Sequence, residues 1–384
     1  MRIQRRLETP RWLVVAVPAA SLVAAIAATA IVLLAAGKDP LATYARLFDR
    51  AFIEPGSLSN TMITATPLLL TGLAAAAAFR MRLWNIGAEG QLYLGAVGAS
   101  GAGLVLRDQP APVIIAGMIA GGLLFGAGWA AIPGLLKAFF NTNEIITTLM
   151  LNYIAGLLLT YLIFGSRSFW RDLSTFSARA FPQGKPLPAA AMWPSLDVGV
   201  VVLPFGFVLG VLAAVLLWWL YRSTIFGLQA RILGDSLPAA RYAGVKTRRV
   251  VVTMMALSGA LAGLGGASEI GDFRHVLDPR GLQQAGLGYA GIVVAALGRY
   301  NPFSVVLVAF LLGGLANAGY SLQGPGFPAG LVGVLQGMIL FFALGGELLI
   351  HYRISFQMGG SLSPSGKGSG DSLSPSGRGL GGGA

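Results

Sequence analysis

Residues 221–249 read YRSTIFGLQARILGDSLPAARYAGVKTRR, a polar stretch that carries Arg222, Arg231, Arg241, Lys246, Arg248 and Arg249 between two long apolar runs. A bilayer core roughly 30 Å thick excludes charge, and loops rich in Lys and Arg stay on the cytoplasmic side. The stretch therefore sets both the position and the orientation of the runs beside it. Within it, Gly234-Asp235-Ser236-Leu237-Pro238-Ala239-Ala240-Arg241-Tyr242-Ala243-Gly244-Val245 places small residues after a Gly and a Pro. That pattern predicts a turn and a short helix, with Asp235 or Ser236 as its N-cap.

Composition agrees with a membrane protein. The 384 residues are 55% hydrophobic and only 11% charged, with 54 glycines and a mean hydropathy of +0.71, too much apolar surface for a soluble domain to cover. A net charge of +12 does not imply nucleic acid, because the basic residues sit at the ends of apolar runs rather than along one stripe. The absence of Cys removes disulfides and thiolate metal sites, and His275 and His351 are too far apart in sequence to suggest a metal pair. Behind Arg2, Arg5, Arg6 and Arg11, the run 12–36 exceeds a signal-peptide core and has no clear cleavage site. We read it as a retained helix after a cytoplasmic segment, 1–11.

The hydropathy pattern predicts an all-α polytopic chain with a membrane domain over 12–350. Ten candidate spans lie at about 12–36, 58–79, 85–106, 111–136, 143–165, 198–221, 250–270, 287–298, 302–320 and 329–350. The basic N-terminal segment and central loop put both termini in the cytoplasm. The eighth span is too short to cross at 1.5 Å per residue, so it is tilted, re-entrant or extended backward through Gln283. Small-residue runs such as Ser258-Gly259-Ala260-Leu261-Ala262-Gly263 allow close helix approach, through packing alone or with helices that slide. Thr61-Met62 with Leu70-Thr71-Gly72, and Thr253-Met254 with Leu257-Ser258-Gly259, hint at an inverted repeat.

Polar residues inside apolar spans face a cavity or a partner, because an ionisable group facing lipid is costly. Asn85, Glu89 and Gln91 form one cluster, with Asn85 and Glu89 expected on one helix face, and Glu144, Thr148 and Asn152 form a second row at i, i+4 spacing. These six residues are candidates for the translocation pathway or its gate. For Glu89 and Glu144 the competing reading is an interfacial carboxylate that caps its helix or pairs with Arg80, Arg82 or Lys137. Glu269 and Glu347 lie at span ends and receive no function.

The stretches 85–91, 143–153 and 234–245, followed by Ser258-Gly259-Ala260-Leu261-Ala262-Gly263, resemble the permease subunits of bacterial ABC importers. They are most similar to the simple sugar and nucleoside branch, whose nucleoside members carry near-identical Asn-Ile-Gly-Ala-Glu-Gly-Gln and Glu-Ile-Ile-x-Thr-x-Met-Leu-Asn-Tyr elements. The resemblance covers about 58–350. It implies about ten helices in two inverted halves, in the bacterial inner membrane. It also implies a second permease subunit, a paralogue because this branch pairs two different ones, two ATP-binding subunits, and an extracytoplasmic substrate-binding protein or lipoprotein. Gly234, Asp235, Ser236, Pro238, Ala239, Ala240, Arg241, Tyr242 and Gly244, inside the loop 222–249, would then dock on the ATPase and couple its closure to rocking of the bundle. No Gly-x-x-x-x-Gly-Lys-Ser/Thr loop is present, so ATP and Mg belong to the partner ATPase and the chain itself is not an enzyme.

The external segment 166–197 mixes aromatics with Arg167, Arg171 and Arg179. It is either a docking surface for the binding protein, through those arginines, or an interfacial helix with its aromatics at headgroup depth among membrane lipid. Beyond it, the Ser/Gly/Pro repeat in 359–384 cannot bury a core and predicts a disordered tail. A branched-chain amino acid permease and an ion-coupled secondary transporter remain as alternatives. An intramembrane enzyme lacks a clustered set of His or Asp residues.

Overall fold

The computed structural model describes residues 2–5, 11–165, 167–199, 201–322 and 352–355, with pairs at 333–334, 337–338, 341–342 and 345–346. The tenth expected span therefore lies largely, and the tail wholly, outside the described residues. The chain is mostly helical: α1 (Arg11–Ala35), α2 (Pro40–Phe48), α3 (Ser57–Phe79), α4 (Ala88–Val105), α5 (Ala111–Phe140), α6 (Glu144–Thr160) and α7 (Phe176–Ala180). There follow α8 (Phe205–Ser223), α9 (Ile225–Asp235), α10 (Leu237–Tyr242), α11 (Thr247–Ser268), α12 (Pro279–Ala285), α13 (Leu287–Leu297) and α14 (Pro302–Leu322). Two small antiparallel pairs join them, β1 (Arg2–Arg5) with β4 (Tyr352–Ser355) and β2 (Ser195–Val198) with β3 (Val201–Pro204).

Six described helices are long and apolar enough to cross a membrane: α3, α5, α6 continued to Gly165, α8, α11 continued to Arg274, and α14. A seventh results if Val23–Ala35 and Pro40–Ile53, bent by 117°, count as one span. That bend has a local cause. Gly37 takes a positive φ, and the Asp39 carboxylate then caps α2 by accepting from the Leu41 and Ala42 amides, with Pro40 at its first turn.

Two sequence expectations need correction, and a third is borne out. The span expected from 198 starts at Phe205, because Val201–Pro204 pairs with Ser195–Val198 and Pro204 ends that hairpin. The helix expected from 85 starts at Ala88, so Asn85 precedes it and shares no helix face with Glu89. The span expected over 287–298 is α13, about 16 Å long at its 11 residues, set off from α12 by Gly286 at φ +57.

Burial separates centre from periphery. In the apolar window of α3, 89% of residues are buried, against 28% for α5 and 22% for α6, so α3 is a core helix and the other two present broad faces outward. Buried α4 and α11 complete the centre. Helix α11 lies mainly on α5 and α4, and α3 lies on α14, α13 and α11 itself. Small residues make the first contact possible, since a Cβ on Gly263 of α11 would overlap the Gly122 carbonyl of α5.

A buried node where two helix N-termini meet

The chain directions converge at one point. From its N-terminus α4 runs towards Leu187 and Trp170, which pack over Gly103 and Gly101. From its own N-terminus α13 runs the opposite way, to Tyr300, whose ring meets Phe79 at the end of α3. The two N-termini meet head to head through Glu89 in the first turn of α4. Its Oε2 accepts from the backbone amides of Gly288 (2.5 Å) and Tyr289 (3.1 Å) in the first turn of α13, and its Oε1 accepts from the Tyr93 hydroxyl at 2.7 Å.

The physical reason lies in the break at Gly286. A helix that starts inside a bundle leaves its first amides without partners, and α13 has no side-chain cap of its own. Glu89 supplies that cap from another helix and sits at the positive ends of two helix dipoles. The approach demands glycine at 288, because a Cβ there would overlap the Glu89 backbone.

Asn152 completes the node from α6. Its Oδ1 accepts from the Gly90 amide (2.9 Å), and its Nδ2 donates to the Ile86 carbonyl (2.8 Å) and the Tyr289 hydroxyl oxygen (3.3 Å). Thr148, one turn earlier, donates to the Glu144 carbonyl and accepts from the Ile86 amide. Together they clip the turn before α4 onto α6. Asn85 and Gln91 are fastened to each other by paired amide bonds of 3.0 and 2.9 Å, and Asn85 also donates to Ser258 of α11, which donates to the Ala74 carbonyl of α3. Glu144 lies apart from the node and pairs with Lys137 at 3.0 Å, in agreement with the interfacial-carboxylate reading for this residue.

Tyr93, Ser258, Gly288 and Tyr289 belong to the same arrangement and escaped the sequence reading. Tyr93 carried one legible signal, its i, i+4 spacing from Glu89. The others join across more than a hundred residues.

The loop 222–249 folds as α9 and α10. Thr224 caps the first and Ser236, rather than Asp235, caps the second by accepting from the Ala239 amide. Two faces result. Asp235, Pro238, Ala239, Arg241, Tyr242 and Gly244 are exposed, with Tyr242 97% exposed, while Gly234 and Ala240 are buried and Ser236 is half-buried. A Cβ on Gly234 would come within 2.7 Å of the Arg80 carbonyl, so α9 ends directly on the segment that leads to Asn85. Arg80 also stacks over the Tyr221 ring at 4.8 Å.

At the opposite end, a cavity of about 790 Å³ is lined by Arg107, Arg167, Arg171, Asp172 and Lys185, among others. Arg167 and Arg171 share it. Arg179 does not line it, and its Nε donates to the Leu173 carbonyl. Only the five-residue α7 is helical between Arg167 and Pro188, so no long interfacial helix forms there. The segment instead straps across the bundle: Leu187 donates to the His275 carbonyl, Trp193 to that of Gly271, and the Trp170 indole to that of Val97 in α4. The Ser174 amide, first, and its hydroxyl hold the Asp172 carboxyl below the usual carboxylate range.

Residues 57–344 match the family described as branched-chain amino acid transport system / permease component. The chain belongs to this family. Similar over most of its length are a guanosine ABC transporter permease of Bacillus subtilis (34% identical, 89% of this chain and 95% of that one) and a glucose ABC transporter permease of Haloferax volcanii (32%, 97% and 98%). A nucleoside ABC transporter permease of Lactococcus lactis is 32% identical over 85% of this chain and 90% of its own. Bacillus subtilis and Lactococcus lactis each hold a second guanosine or nucleoside permease that is 24% identical to this chain. The permease is therefore a multi-pass inner-membrane protein and a non-catalytic subunit of an ABC importer. Among its described residues no cluster of His, Asp or Glu could hold a metal ion.

Proposed function

We propose that this permease carries a nucleoside, or failing that a simple sugar, inward across the membrane. The observation that supports this best is the end-to-end similarity to permeases named for guanosine, nucleosides and glucose. A branched-chain amino acid is favoured only by the family's description.

In this reading the exposed face of α10, centred on Tyr242, docks on an ATP-binding subunit, which holds ATP and Mg. Rocking of the bundle passes through Gly234 and Arg80 to the turn before α4. Glu89 and Asn152 hold that turn and the start of α13 in register, with Asn85, Gln91 and Thr148 as supports. Glu144 would steady the cytoplasmic end of α6. Arg167 and Arg171 would meet acidic residues of the binding protein, with Arg107 and Lys185 beside them. The second permease subunit is a paralogue, a reading supported by the second, 24% identical permease in each of Bacillus subtilis and Lactococcus lactis.

The test is uptake by vesicles holding this permease, the second permease and the ATPase, supplied with the binding protein. Nucleoside uptake that needs ATP and all four proteins supports the proposal. Uptake of leucine alone would move the substrate to the branched-chain class.

A further inference from the structure

Helix α12 is polar where a lipid-facing helix could not be. It packs on the outer half of α6: the Gln283 Nε2 donates to the Gly156 carbonyl (3.1 Å) and the Thr160 hydroxyl (2.9 Å), and Arg280 lies 5.0 Å over the Phe164 ring. Counting 1.5 Å per residue from Glu144, those contacts lie about 18–30 Å along α6, and Asn152 with Tyr289 about 12 Å along it. Arg280, Gln283, Gln284 and Tyr289 are nonetheless exposed, and the Gln284 side chain makes no hydrogen bond among the described residues. Two exposed amides at that depth are not left in hydrocarbon, and Arg280 lies at the outer end of the span above them.

We infer that α12 and the first turn of α13 form one wall of the solute pathway, an aqueous ladder from Arg280 through Gln284 and Gln283 to Tyr289. The inference rests on the proposed function, which supplies the solute, and adds residues to which that reading gives no role. Its occupant is a neutral nucleoside. The Tyr289 ring, 41% exposed, offers a face for the base. Its hydroxyl oxygen accepts from Asn152, leaving its proton to donate, and the free amide atoms of Gln283 and Gln284 suit ribose hydroxyls. The wall adjoins the Gly286 break, so movement of α13 changes what the ladder opens onto.

Because the chain has no Cys, single thiols report cleanly. In the full complex, Arg280→Cys, Gln284→Cys and Tyr289→Cys are treated from outside with a charged, membrane-impermeant methanethiosulfonate. Leu311→Cys, on an exposed apolar face of α14, serves as control. The three thiols should react, the control should not, and modification should cut nucleoside uptake about tenfold or more. Tyr289→Phe, which keeps the ring but loses the donor, should lower uptake less than Tyr289→Leu, which should lower it about tenfold, while ATPase stimulation by the loaded binding protein stays within about twofold.

Labelling only by a lipid-soluble maleimide would show that α12 faces acyl chains and would overturn the inference. So would labelling by neither reagent, or labelling that leaves uptake intact. If the unmodified complex carries no solute with ATP, the proposed function fails, yet the labelling pattern still decides whether α12 is wetted.

Discussion

Glu89 has the highest stake of any single residue, because two helices depend on its carboxylate. Removing it in Glu89→Ala strands the Gly288 and Tyr289 amides in the interior, at about 1–3 kcal/mol for each unsatisfied group. We expect a lower melting temperature for the purified complex and loss of most uptake. Glu89→Gln keeps an acceptor for both amides and a donor for the Tyr93 oxygen. It should fold near normally, so any remaining transport defect measures the charge alone. Equal melting temperatures for the Ala variant and the wild type would refute the capping role.

Asp172 gives a pH prediction outside the membrane. Its depressed carboxyl favours the folded state above the unfolded value of about 3.9, and that contribution disappears as pH falls through the lower folded value. Amide exchange at Ser174 should therefore be steady from about pH 5 to 7 and quicken only in stronger acid, relative to the intrinsic rate. Ser174→Ala should shift that onset upward.

Among the elements, the discontinuous α12–α13 pair and the glycine-lined contact of α11 decide the architecture. Gly263→Val forces a branched side chain between α11 and α5, where overpacking costs about 1–3 kcal/mol or more. The expected result is a permease that no longer assembles with its partners, read by size-exclusion chromatography. The element scale is also where the sequence was most and least legible. Long apolar runs announced α3, α5, α6, α8, α11 and α14 to within a few residues at most of their ends, because lipid imposes length and composition together. The shortness of 287–298 was visible. Its cause was not, since Glu89 lies about two hundred residues from the amides it caps. In the same way the helical spacing of Asn85 and Glu89 misled, because a chain re-entering the bundle can follow an extended path before its helix starts. The β2–β3 hairpin was hidden because the apolar strand β3 read as the start of a span.

For the whole molecule, the claim is that motion at α10 reaches α13 through contacts already in place. Tyr242 touches nothing that holds the fold, being 97% exposed, so Tyr242→Ala should leave the permease stable. It should nevertheless lower the uptake obtained per ATP hydrolysed, because a large exposed aromatic is the kind of anchor a docking groove takes up. Unchanged coupling would place the ATPase contact elsewhere. The partners and substrate class were legible only through resemblance of short motifs, since the sequence itself holds no Gly-x-x-x-x-Gly-Lys-Ser/Thr loop or other motif that names a ligand.

The central claim is tested most directly by uptake of labelled guanosine, glucose and leucine into vesicles holding this permease with its second permease and ATPase, with binding protein supplied and ATP present or withheld. The account predicts guanosine or glucose uptake that stops when ATP or any partner is omitted. Uptake that ignores the ATPase and follows an ion gradient would contradict it.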